Sequence, residues 1–155
     1  MRVLTEGSVL TMNHLFPYDN IVIGVLIFII GFIFHWIGQL ISVINWTFAT
    51  KIGLQESSLP KEYKVYENAI AIADSLLGWI YGVAAIGLFL NASWGYKLAW
   101  IPGVILLYHA LSFWFSTMNR RRDGNKLTSD ALRIGWTLAN FTTGVLTIIV
   151  LWNAY

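Results

Sequence analysis

The sequence predicts an all-α integral membrane protein, a four-helix bundle of four transmembrane helices, and three observations carry that prediction. Of its 155 residues, 57% are hydrophobic and 12% charged, against roughly 45–50% and about 25% in soluble domains. Four stretches reach the roughly 20 mainly apolar residues that a bilayer-crossing helix needs. Of the eight Trp, Trp46, Trp94, Trp100, Trp136 and Trp152 fall near the ends of those stretches, where an amphipathic ring suits the headgroup level.

The spans are expected at about 21–48, 68–90, 98–118 and 131–152, within one transmembrane domain covering 1–155. Residues 1–20 include Glu6, His14, Pro17 and Asp19 and hold no apolar core, so the first span reads as retained rather than as a signal peptide. That span exceeds the minimum length, which implies tilt or emergence from the membrane. In KIGLQESSLPKEYKVYEN, Ser57 or Ser58 can cap a helix with Pro60 in its first turn, so the second helix should start before the membrane. NASWG makes a tight turn and forces helices two and three to be antiparallel neighbours. In NRRRDGNKLTSD, Thr128 or Ser129 is the expected cap of helix four, with Asp130 in its first turn.

Positively charged flanks are retained in the cytoplasm. Lys51, Lys61, Lys64, Arg120, Arg121, Arg122, Lys126 and Arg133 flank the side of the first and third connections, whereas Arg2 and Lys97 flank the other. Loops 49–67 and 119–130 are therefore expected in the cytoplasm and both termini outside. The net charge of +2 is explained by this asymmetry, and no nucleic-acid partner is expected. The Arg120–Arg122 run is assigned to orientation rather than to an anionic lipid site.

Each span has a polar edge. In the first, Gly24, Gly31 and Gly38 recur every seven residues with Phe28, His35 and Ser42 between them, and Gln39 widens the stripe. Small residues let membrane helices approach closely, so this glycine face is the candidate contact for a second copy of the chain. The second span carries Ala71, Ser75, Gly78, Gly82 and Ala85 with Asp74 and Tyr81 beside them. The third carries His109, Ser112 and Ser116, and the fourth Arg133, Thr137, Asn140, Gly144 and Thr147. Most of these groups serve packing. Ionisable residues need more explanation, because a charge at the bilayer centre costs about 2.5–3.5 kcal/mol on insertion scales and usually faces a cavity or a partner. Counting along the spans puts His35 and His109 near the midplane, with Asp74 about two turns from the cytoplasmic end, so the three can converge. An Asp74–Arg133 ion pair is the structural alternative.

Some chemistry is excluded. With no Cys there are no disulfides, thiolate metal sites or cysteine nucleophiles. The glycines form no phosphate-cradling loop. No H-x-x-H or E-x-x-H pair lies on one helix, so metal ligands would have to come singly from three helices; no metal and no cofactor is assigned.

Residues 74–114, DSLLGWIYGVAAIGLFLNASWGYKLAWIPGVILLYHALSFW, resemble the middle of the EXPERA-domain family of emopamil-binding proteins and sigma-2 receptors. The resemblance rests on a mid-helix acid (Asp74), a short polar turn (Asn91 to Trp94), Pro102 opening the next helix and His109 seven residues later, with His35 added from helix one. It implies an intramembrane pocket for sterols or cationic amphiphiles, with Asp74 as its acidic residue, and sterol isomerisation in some members. Helix one offers Asn45 where an acid would follow His35, and a second membrane acid is missing. The family's cytoplasmic termini are opposite to the orientation from the charge count.

The leading expectation is a pocket open to the lipid that binds a hydrophobic or amphiphilic small molecule, lined by His35, Gln39, Asp74, Tyr81, His109 and Asn140. If it is catalytic, His35, Asp74 and His109 are the candidates. The alternatives are an oligomeric transporter or proton-linked channel, hinted at by the matching spacings His35 to Asn45 and His109 to Asn119, and an accessory subunit of a larger membrane complex.

Overall fold

The computed structural model describes residues 14–56, 59–125 and 128–154; Arg2, Glu6, Lys126 and the predicted caps Ser57 and Ser58 lie outside these. Among the described residues the chain forms helices α1 (Asp19–Ile44), α2 (Trp46–Lys51), α3 (Lys61–Phe89), α4 (Ser93–Arg122) and α5 (Asp130–Ala154). The four long ones have 26, 29, 30 and 25 residues. At 1.5 Å per residue they measure about 38–45 Å, longer than the roughly 30 Å hydrocarbon core. Ile29, Ile33, Leu76, Val104, Leu111 and Leu138 point away from the bundle. In water such an apolar coat would drive aggregation; in lipid it is solvated. The fold is that of a multi-pass membrane bundle.

Local chemistry sets the helix ends. Asp19 opens α1 and is completely buried, accepting hydrogen bonds from the backbone of Leu15 and Asn20, both at 2.7 Å, and lying 2.6 Å from His14 Nδ1. The apolar run expected as one span from 21 to 48 is broken at Asn45, where the backbone leaves the helical region (φ −149°, ψ 87°). The Asn45 side chain accepts from the Phe48 amide at 2.9 Å and starts α2, as a short polar N-cap does. Pro60 immediately precedes α3 rather than sitting in its first turn. Ser129 caps α5, its hydroxyl accepting from the Leu132 amide at 3.2 Å.

Two helices depart from regularity near the centre. From Ile27 to Ile37, α1 is a π-helix, a wide-turned form with i→i+5 bonding that is rare and frequent at functional sites. Its buried residues Ile27, Gly31 and His35 recur every four positions. Helix α3 is interrupted at Gly78, whose amide donates to the Asp74 carbonyl at 2.7 Å. Pro102, expected to open a helix, lies inside α4, which starts at Ser93.

Around the bundle the order is α1, α3, α4, α5, closing back on α1, with a narrow diagonal contact between α1 and α4. The glycine stripe of α1 is used inside the chain: Gly31 lies so close to the Tyr81 ring that a β-carbon there would fall 2.3 Å from it. The half nearer the Asn91 turn is apolar and tightly packed, with Ile23, Ile27, Leu88, Tyr96, Leu106 and Leu151 fully buried. The half nearer the α2–α3 and α4–α5 connections is polar.

Candidate intramembrane site

The polar half owes its centre to one side chain from each long helix. The π stretch of α1 brings in His35, α3 brings Asp74 one turn before the Gly78 break, α4 brings His109 and α5 brings Asn140. The imidazole rings of His35 and His109 meet across the diagonal at 4.3 Å between centroids. His109 Nε2 lies 3.3 Å from Asp74 Oδ1. His35 Nε2 lies 2.6 Å from Asn140 Oδ1.

The Asn140 contacts define the state of His35. The Asn140 amide nitrogen donates to the Trp136 carbonyl at 2.8 Å, which turns its oxygen to the imidazole. His35 Nε2 therefore carries a proton and donates to Asn140, and in the neutral ring the lone pair is on Nδ1; the amide orientation and tautomer follow from the hydrogen-bond network. Asn140 is fully buried, so this bond holds the ring where it is.

The remaining atoms of the centre are under-satisfied. Asp74 Oδ2 and the Tyr81 hydroxyl are buried and have no hydrogen-bond partner among the described residues. Most buried polar groups are paired, and each exception calls for a reason. His35 and His109 also line a cleft of about 70 Å³. It runs past Gln39, Ser112 and Ser116 to Tyr66 and Glu67, with Trp136 on its wall.

Of the six predicted pocket residues, His35, Asp74, His109 and Asn140 converge. Tyr81 is adjacent, its ring 6.2 Å from that of His35. Gln39 lines the cleft and accepts from the Gln55 side chain at 3.2 Å. The alternative Asp74–Arg133 pair is not formed. Arg133 approaches Asp130 at 3.6 Å and lies 4.2 Å from the centre of the Trp114 ring. Trp136, expected at the membrane interface, faces the site, 5.0 Å from the His35 ring.

Glu67 is the residue that the sequence reading missed. It lies in the connection 49–67, one residue outside the expected span 68–90, in the part of the second helix expected to precede the membrane, and is not among the expected site residues. The helix starts six residues earlier, at Lys61, and i, i+7 spacing puts Glu67 and Asp74 on the same face, which is the signal that would have found it.

No protein-family model, curated protein or solved structure matches this chain. What defines it is therefore its own architecture: a membrane bundle whose polar centre joins two histidines, an aspartate and an asparagine from four helices.

Proposed function

We propose that the bundle binds the polar end of a hydrophobic or amphiphilic small molecule at the His35–Asp74–His109 centre. The observation that carries this reading is the convergence of these side chains beside the cleft: His35 and His109 line it, and Asp74 lies behind His109, 3.3 Å from its Nε2. The volume refines it. A water needs about 10–15 Å³ of such space, so 70 Å³ admits a polar headgroup of a few atoms, whereas pockets that swallow a whole drug-sized ligand measure about 300–1,000 Å³. The apolar part of the ligand stays in the surrounding lipid. Asp74 receives a cationic head, with His109, Gln39 and Tyr81 as hydrogen-bonding neighbours and His35 held by Asn140. The resemblance of residues 74–114 to the EXPERA-domain family points to the same class of ligand. Should the bound molecule react, a histidine moves the proton while Asp74 balances developing positive charge. On the orientation expected from the charge count, which is opposite to that of the EXPERA-domain family, the cleft lies at the cytoplasmic side.

The test is thermal unfolding of the purified protein in detergent with chelator present, followed through its Trp fluorescence. A long-chain tertiary amine is compared with a long-chain alcohol. At 100 times its dissociation constant a ligand stabilises by about 2.7 kcal/mol. The amine should raise the midpoint in the native chain and lose that effect in Asp74→Asn. Equal stabilisation of both chains would overturn the reading.

A second reading, a proton-linked transporter built from several copies, is favoured by one observation: the cleft connects the histidine pair to Glu67 through Gln39, Ser112 and Ser116. Proton uptake by the protein in liposomes, without added amine, separates the two.

A further inference from the structure

His35, Asp74 and His109 come from three helices, yet each offers a nitrogen or oxygen within 4.8 Å of the other two. Among the described residues no other group of three His, Asp or Glu side chains is gathered this closely. We propose that these residues form a binding site for one divalent transition-metal ion of the zinc type, with its remaining coordination positions turned toward the cleft.

Four observations support the site. The donor set is right: two imidazoles and a carboxylate suit zinc and related ions, and three protein ligands with an open position are the pattern of reactive rather than structural centres. The spacing is nearly right. Ligands at about 2.1 Å from a tetrahedral ion stand about 3.4 Å apart, and Asp74 Oδ1 and His109 Nε2 are 3.3 Å apart. The widest separation of 4.8 Å needs a closure of about 1.4 Å to reach that about 3.4 Å, within the reach of small side-chain rotations.

The surrounding shell is also right. Metal-ligating histidines usually donate their second ring N–H to an oxygen acceptor, which fixes the tautomer and aims the lone pair. His35 already does this through Nε2 and Asn140 Oδ1 at 2.6 Å, leaving the Nδ1 lone pair for the ion. Finally, Asp74 Oδ2 is buried without a hydrogen-bond partner. A bound cation would supply the partner that this oxygen lacks.

This inference does not rest on the amphiphile reading. Metal binding is measured without amphiphile, and amphiphile binding with chelator present, so either can fail alone. Chelator-stripped protein in detergent is titrated with Co²⁺, followed by the visible ligand-field bands of the ion, and then with Zn²⁺, followed by elemental analysis after desalting. The expected result is one ion per chain, with Zn²⁺ displacing Co²⁺ and bleaching its bands. His35→Ala, Asp74→Asn and His109→Ala should each weaken binding at least about 100-fold, and Asn140→Ala, which removes only the outer partner, about 10- to 100-fold. His14→Ala, which alters the third histidine of the chain, should bind as the native chain does. Absence of Co²⁺ bands in the native protein overturns the proposal, whether or not any variant folds. So does binding that survives unchanged in all three ligand variants.

Discussion

The two halves of the bundle solve the same packing problem in opposite ways. Near the Asn91 turn, α3 and α4 touch backbone to backbone: a β-carbon on Gly95 would lie 2.2 Å from the Gly87 carbonyl carbon. Large apolar side chains fill the rest, and the polar groups there are paired, as in Asn20, whose amide donates to the Leu88 carbonyl at 2.9 Å. Toward the opposite end the helices enclose a cleft, and polar groups are left with unmet bonds. Lipid supplies no hydrophobic drive between helices, so association rests on close packing and interhelical hydrogen bonds. One half supplies the packing; the other gives up some of it to hold a site.

Placing any side chain at the point of closest approach should break the contrast most severely. In Gly95→Val the new atoms meet the backbone of Gly87, which cannot move aside as a flexible side chain can. Overpacking typically costs about 1–3 kcal/mol, occasionally more, and a backbone collision belongs at the upper end. The expected outcome is loss of the monodisperse folded protein on size exclusion. A folded variant with an unchanged midpoint would show that this half is not the rigid one.

The polar half has its own structural anchor, and it differs from the site in being fully paired. Glu56 reaches Arg120 at 2.8 Å and also meets the Thr128 hydroxyl, joining the α2–α3 connection to the end of α4 and the start of α5. Arg121 joins Asp130 and the Thr128 carbonyl. Arg120 is 5% exposed and Glu56 26%. Removing one partner of a fully buried pair costs about 3–5 kcal/mol; the exposure of Glu56 lowers the expectation for Glu56→Ala to about 2 kcal/mol. The drop should appear in the unfolding midpoint, with Co²⁺ and amine binding by the folded fraction unchanged. A loss of binding without a loss of stability would reverse the assignment of roles.

Much of this contrast could be read in the sequence, and the rest could not, for physical reasons. The four spans follow from hydropathy because a bilayer imposes one length on every crossing helix. The inward polar edges follow because a lipid-facing His35, Asp74 or Asn140 would be too costly. Helix ends were harder. Asn45 sits within a long, mainly apolar run, and it is the backbone turn at this residue and its side-chain bond to the Phe48 amide that show the helix stopping and restarting there. Pro102 reads as a helix opener because proline lacks the amide that an interior position requires, yet here it is tolerated one-third of the way along α4. The π stretch around His35 has no composition signal, and with it the relative depth of His35 and His109 could be counted but not their contact. The alternative Asp74–Arg133 pair could not be dismissed from spacing alone; Arg133 instead approaches Asp130, three residues away on the same helix.

The smallest stability effect should come from the most informative residue. Asp74→Asn keeps the shape of the side chain and removes a charge whose Oδ2 has no partner in a buried setting. A carboxylate held by several hydrogen bonds, as Asp19 is at the start of α1, would lose stability on such a change. Asp74 gives up only a 3.3 Å contact with His109, while the desolvation of a charge is relieved. The two effects oppose each other, so the unfolding midpoint of the empty protein should move by the equivalent of less than about 1 kcal/mol in either direction. Measured by SDS or thermal unfolding beside Glu56→Ala, a fall of about 3 kcal/mol or more would place Asp74 among the anchors that hold the bundle together. A near-zero change accompanied by loss of binding places it in the half that spends packing on function.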